Sequence, residues 1–187
     1  INDEKIETGV MLLYEIDSTK PILYVDLDGV LADFFTPFNK MAGVDKWNQA
    51  GKETLQKTLK QIAQTDDFWP NLGVLPDANR LLSGIQNIVG EFVVLSKALS
   101  GDPNAEKQKR AWVQANLSIQ PVDTIIMSPT ANKGIYAKQS DGTPNVLIDD
   151  FGVNIKNWMA AGGTAIKHKD GRADATLEQL KDIYEIQ

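Results

Sequence analysis

The segment Ile22-Leu-Tyr-Val-Asp-Leu-Asp-Gly-Val-Leu-Ala-Asp33 decides how the rest of the chain is read. Its first four residues form an apolar run with a β-branched residue at each end, the pattern of a strand buried on both faces. Asp26-Leu27-Asp28-Gly29 follows at once. In a parallel α/β sheet the carboxyl ends of the strands open onto the ligand crevice, so two carboxylates two positions apart stand where a substrate binds. Taken alone, Asp-x-Asp-Gly serves equally well as a plain turn, since aspartate and glycine both form turns.

Similar runs recur at Phe92–Leu95, Thr124–Met127, Val146–Ile148 and Thr164–Ile166, with helical patterns between most of them. That alternation predicts an α/β fold, a Rossmann-like three-layer arrangement with a parallel sheet covered by helices. Helices are expected at Pro103–Asn116, Val153–Ala161 and Thr176–Glu185. Asp102-Pro103 offers a capping acceptor before a proline at the first helical position, and Thr176 with Gln179 fits a capping box. Gly162-Gly163 is placed to end the second helix. Between Phe34 and about Leu75 the rhythm breaks: helical segments and two tryptophans, Trp47 and Trp69, appear without a strand pattern. The expected organisation is a core domain of residues 1–33 and 76–187 with a small helical cap, residues 34–75, inserted after the first strand. Near the start, Val10–Tyr14 fits either an added strand or a short helix.

Composition narrows the function classes. With 187 residues and 42% hydrophobic content the chain can bury a sizeable core in one domain with a small insertion. A net charge of −6 opposes a surface built to hold nucleic acid, which needs a clustered cationic face. The absence of cysteine removes disulfides, thiolate zinc sites and cysteine nucleophiles together. No apolar run approaches the roughly 18 residues of a membrane span, and no basic stretch precedes a signal-type core, so a soluble, cytoplasmic protein is expected.

A second acidic pair, Asp149-Asp150, ends the apolar run Asn145-Val-Leu-Ile148. Converging carboxylates repel one another unless protons or a cation intervene. Hard oxygen donors so arranged select Mg²⁺, which also binds substrate phosphate. Ser96 follows the run Phe92–Leu95 and offers a hydroxyl at the same sheet edge, while Lys133 lies in the loop after Thr124–Met127. A lysine there can offset a nucleophilic carboxylate or a phosphoryl oxygen. A serine after a strand is more often a turn residue and a lysine more often solvated; the weight lies in the order Asp-x-Asp, Ser, Lys, Asp-Asp, each after its own strand. If Asp28 is to move protons, its carboxyl must point away from the metal, with a pKa raised by its neighbours.

Taken in that order, Asp26–Asp33, Ser96, Lys133 and Asp149-Asp150 resemble the four sequence motifs of the haloacid dehalogenase superfamily of phosphohydrolases. More narrowly, Asp26–Phe34, Phe68-Trp69 with Leu75-Pro76, Glu106-Lys-Gln-Lys-Arg-Ala-Trp-Val113 and Leu147-Ile-Asp-Asp150 resemble the 5′(3′)-deoxyribonucleotidase family. The resemblance implies that Asp26 attacks phosphorus to form an aspartyl-phosphate, while Asp28 protonates the leaving oxygen and later activates water. It implies Mg²⁺ held by the Asp26 carboxylate, the Asp28 backbone carbonyl and Asp150, with Asp149 in support. Ser96 and Lys133 would hold the phosphoryl oxygens. Gly29 would let the backbone approach the phosphate, and Phe34 matches a position that contacts the base. Lys97 joins them as a substrate-side candidate, although Ser96-Lys97-Ala98 departs from the family's hydroxyl pair followed by proline.

Extra sequence between Lys133 and Asp149, including Gln139–Pro144, makes Lys138 the alternative to Lys133. Phe34, Trp47, Phe68 and Trp69 could form an aromatic wall for a nucleobase, with core packing the plainer reading for either tryptophan. Trp112 and Trp158 read as core, and His168, between two lysines, as a solvated loop residue. The expected partner is a small phosphomonoester, a nucleoside monophosphate, with no nucleic acid and no membrane; a homodimer is left open. Two other readings stand beside this one: a sugar-phosphate or polynucleotide-end phosphatase on the same scaffold, and a non-enzymatic phosphoacceptor domain. The latter has its acidic pair first in the chain, whereas here it comes last.

Overall fold

The computed structural model describes residues 20–185, so Val10–Tyr14 lies outside the described residues. Five parallel strands form one sheet in the order β3-β2-β1-β4-β5. They are β1 (Leu23–Val25), β2 (Val93–Lys97), β3 (Asp123–Met127), β4 (Val146–Asp149) and β5 (Thr164–Lys167). All five expected strands are present, within two residues of their sequence positions. The helices are α1 (Phe35–Ala42), α2 (Lys52–Ala63), α3 (Ala78–Ile88), α4 (Ala105–Asn116), α5 (Gly152–Ala160) and α6 (Ala173–Glu185). Short 3-10 helices occupy Trp47–Gln49 and Lys133–Tyr136.

Side-chain alternation splits the apolar strands between two cores and so produces three layers. Leu23, Val25, Val94, Val146 and Ile148 face one core with Leu81, Leu82 and Ile85 of α3, Trp112 and Val113 of α4 and Leu180 of α6. Tyr24, Val93, Leu95 and Leu147 face the other, against Trp158 of α5 and Ala137. Each fully buried side chain of this kind contributes about 1.5–3 kcal/mol, which is why strands of three to five residues suffice. Trp112 and Trp158 are core residues, as expected. No helix among the described residues is long and apolar enough to cross a membrane.

Three local expectations are corrected. Helix α4 begins at Ala105 after an Asn104 cap, not at Pro103. Asp102 instead closes a turn, accepting from the Asn104 amide at 2.8 Å, and accepts from the Trp69 indole at 2.7 Å. Helix α6 starts at Ala173, three residues before the expected capping box. Thr176 therefore sits inside it and its hydroxyl meets His168 Nδ1 at 2.9 Å. His168 is consequently buried, not solvated: its amide donates to the Asp149 carbonyl at 2.9 Å, continuing the β4–β5 ladder. The end of α5 follows expectation, with Gly162 at φ 89° just beyond it.

Candidate active site

Parallel strands put their carboxyl ends on one edge, and β1 at the centre carries its loop into the middle of that edge. The Asp26 amide still bonds to the Ile148 carbonyl at 2.9 Å, so Asp26 is held as an extension of the sheet. The chain then turns back: the Leu31 and Ala32 amides donate to the Leu27 carbonyl at 2.9 and 2.8 Å. Gly29 takes φ 79° in this turn, and a Cβ there would lie 2.6 Å from Asp150 Oδ2. Both the left-handed backbone and the close carboxylate require glycine. Gly29→Ala is expected to destabilise by about 1–3 kcal/mol and displace Asp150, read as a lowered Tm together with lost turnover.

The loop after β3 carries Lys133 to the same place. Asn132 caps the short 3-10 helix, its side chain accepting from the Gly134 amide at 2.9 Å. From there Lys133 Nζ donates to Asp26 Oδ1 at 2.6 Å and to Asp149 Oδ2 at 2.7 Å. Lys133 is 2% exposed and Asp149 fully buried. Burial alone would lower the lysine pKa, but Asp26 and Asp149 outweigh it and raise the value, so the ammonium is permanent. The alternative, Lys138, packs its side chain against Gly162 instead. The extra sequence closes on itself, with the Gln139 amide donating to the Thr143 carbonyl at 2.9 Å, and so does not shift Lys133.

Asp149 uses both oxygens within the protein. Oδ1 accepts from the Phe151 amide at 2.8 Å, and Oδ2 accepts from Asn154 at 3.0 Å as well as from Lys133. Asp150 has no such partners among the described residues. Burial, then repulsion from Asp26 and Asp149, pushes its pKa up to about 8. Burial, then Asp26, pushes Asp149 to about 6. Asp26, Asp149 and Asp150 can each offer one oxygen within 4.8 Å of the others. The Asp28 carboxyl stands outside that trio, its pKa raised by burial against the opposing pull of Lys109.

A cleft of about 190 Å³ is lined by Asp26, Asp28, Phe34, Ser96, Lys97 and Lys133 together with Asp150 and Phe151. The expected site residues thus converge, with Asp149 behind the lining and Gly29 beneath Asp150. Lys97 is half-buried, and burial, then the Lys133 charge, lowers its pKa. Of the four aromatics, Phe68 and Trp69 belong to the core. Phe34 stacks on Trp69 with centroids 5.8 Å apart. Trp47 is 38% exposed and stacks on Phe35 at 5.8 Å rather than packing inside. A cavity of about 780 Å³ between α3 and α6 touches none of these groups.

One residue of the site escaped the sequence reading. Lys109 of α4 is 2% exposed; its ammonium pairs with Asp28 Oδ2 and donates to the Lys97 carbonyl at 2.7 Å. It looks solvated in the run Lys107-Gln-Lys-Arg110, but it shares a helical face with Ala105, Trp112 and Val113, all buried. A lysine inside an apolar stripe was the available signal.

A parallel sheet whose central edge gathers Asp-x-Asp, Ser, Lys and Asp-Asp is the arrangement of the haloacid dehalogenase phosphohydrolases, and the chain is a phosphatase of that superfamily. The sequence model of the 5′ nucleotidase, deoxy (pyrimidine), cytosolic type C protein family matches residues 20–170, and the chain belongs to that family. A non-enzymatic phosphoacceptor role is thereby set aside. No curated protein sequence gives a significant match. Among solved structures, a hydrolase from Streptococcus pneumoniae is 14% identical with a TM-score of 0.48, covering 88% of this chain and 99% of its own. A haloacid dehalogenase family hydrolase from Deinococcus radiodurans, solved with bound phosphate and sodium, is 16% identical with a TM-score of 0.47, covering 88% and 89%.

Proposed function

We propose that the chain is a Mg²⁺-dependent 5′(3′)-nucleotidase that hydrolyses deoxynucleoside monophosphates through an aspartyl-phosphate on Asp26. The observation that carries the reading is Lys133, whose ammonium joins Asp26 to Asp149 at the floor of a cleft also lined by Asp28, Ser96 and Lys97. Such a floor holds and aims one carboxylate while cationic and hydroxyl groups wait for a phosphoryl group.

The donor set fits a hard divalent cation: three carboxylates within reach of one point, one of them raised to about 8 by burial and then by its neighbours. Asp26, Asp150 and the Asp28 backbone carbonyl would hold it, with Asp149 already engaged by the protein and acting in support. Bound there, Mg²⁺ supplies positive charge to the transferring phosphoryl oxygens. An Asp26 carboxylate oxygen forms a bond to phosphorus as the ester P–O bond breaks, and Asp28 gives its proton to the leaving alkoxide. Asp28 then takes a proton from water, whose oxygen attacks phosphorus and releases inorganic phosphate with Asp26 restored. Ser96, Lys97 and Lys133 meet the charge on the other phosphoryl oxygens.

Residues 34–75 act in this reading as a small cap over the sheet edge. At about 190 Å³ the cleft is smaller than the roughly 300–1,000 Å³ of a whole-ligand pocket, so the phosphoryl group and sugar fill it and the base rests on the rim by Phe34 and Phe35. The test is a phosphate-release screen with Mg²⁺ across deoxy- and ribonucleoside monophosphates and sugar phosphates. Fastest release from deoxynucleotides supports the assignment; preference for sugar phosphates, or no release at all, overturns it.

Stability against pH gives an independent check on the metal. Asp150 titrates near its ordinary value when unfolded and near 8 when folded, so the folded state binds the extra proton between those values. Stability without divalent cation therefore falls as pH rises from about 4 toward 8. Mg²⁺ is expected to raise Tm more at pH 8 than at pH 6; an equal shift at both, or none, contradicts the assignment.

A further inference from the structure

We propose that Lys109 is a positioning residue that fixes the Asp28 carboxyl for proton transfer and ties it to the aromatic group beside the substrate. The inference rests on the reading of Asp28 as acid and base given above. An ammonium has three N–H donors, and all three are spent here: on Asp28 Oδ2, on the Lys97 carbonyl at 2.7 Å and on Ser96 Oγ at 3.2 Å. None remains for a substrate, so Lys109 acts through its partners. The other Asp28 oxygen, Oδ1, is buried with no hydrogen-bond partner among the described residues. Holding Oδ2 leaves Oδ1 as the one place for the mobile proton, and fixes which way it faces.

The Trp69 ring also packs against the ammonium, 4.1 Å from Nζ to the ring centroid. Trp69 in turn donates to Asp102 and stacks on Phe34, which lines the cleft, at an interplanar angle of 16°. One buried charge thus sets the acid, the Ser96 hydroxyl and the backing of a substrate-side ring. Packing does not demand it: the neighbours on its helical face are Ala105, Trp112 and Val113, among which an apolar chain of the same length would sit without the cost of desolvating an ammonium.

The test compares Lys109→Met with Asp28→Asn and the unaltered enzyme, using a 2′-deoxynucleoside 5′-monophosphate and p-nitrophenyl phosphate. An alkoxide leaving group needs a proton, whereas nitrophenolate leaves without one, and kcat/KM reports only steps up to the loss of that group. Lys109→Met is expected to lower kcat/KM about 100-fold more for the deoxynucleotide than for p-nitrophenyl phosphate, the lower range of general acid–base contributions. Because the second step also needs Asp28, p-nitrophenyl phosphate should give a burst of about one nitrophenolate per enzyme before a slow phase. Equal loss on both substrates without a burst, or no loss on either, overturns the role of Lys109. If Asp28→Asn fails to discriminate between the substrates, it is instead the acid–base reading of Asp28 that falls. Should Lys109→Met not fold, Lys109→Gln decides by the same ratio and burst.

Discussion

Asp26→Asn abolishes turnover, by at least about 10⁴-fold, and leaves the protein folded. Asparagine matches aspartate in shape but has no anionic oxygen to attack phosphorus, so no remaining group can take over the covalent step. Its effect on stability has the opposite sign from most buried substitutions. Asp26 is the largest charge acting on both Asp149 and Asp150. Neutralising it relieves two repulsions, while Lys133 keeps Asp149 as its partner. Without divalent cation, Tm is therefore unchanged or higher, most clearly near pH 8, where Asp150 is otherwise forced to ionise. Phosphate release assays and thermal unfolding of the same preparation check both halves. Residual turnover above about one part in a hundred removes Asp26 as nucleophile.

Lys133→Met is expected to damage stability and activity together. It deletes the one cation between two buried carboxylates 2.6 and 2.7 Å from its nitrogen. Removing one partner of such a group costs about 3–5 kcal/mol, because the others stay buried without compensation. For a domain of this size that lowers Tm by about 10 °C. Asp149, already pushed up to about 6 by burial and Asp26, then loses the Lys133 charge that opposes this, so the variant binds an extra proton when folded and gains stability as pH falls from 8 toward 5. Lys138→Met is the control: its side chain lies against Gly162, and turnover should stay within about twofold. A Lys133→Met protein as stable and active as the original would show that the bridge is not needed.

The strands were legible because each is a short apolar run with β-branched residues, and strand ends then located Asp26, Ser96, Lys133 and Asp150 without any contact information. What remained hidden depends on partners distant in sequence. Lys109 is read from sequence as one charge among several in a polar helix; only the approach of Asp28, 81 residues away, reveals its purpose. Thr176 and Gln179 satisfy a local capping pattern, yet the helix begins earlier, at Ala173, whose amide donates to Asp77 at 3.0 Å across 96 residues of sequence. His168 was misjudged for the same reason, since flanking lysines say nothing of a backbone amide that continues the sheet toward Asp149. Trp47 and Trp69 look alike in sequence, and tertiary packing alone puts one on the rim and the other beneath Lys109.

The most direct test of the chemistry is to mix Asp28→Asn with p-nitrophenyl phosphate, whose leaving group needs no proton, and Mg²⁺, quench in acid, and map the modified peptide by mass spectrometry. With the second step blocked, a phosphoryl group should accumulate on Asp26 and disappear in Asp26→Asn/Asp28→Asn. Phosphate release with no modified residue, or a phosphoryl group on any other side chain, would contradict an aspartyl-phosphate formed at Asp26.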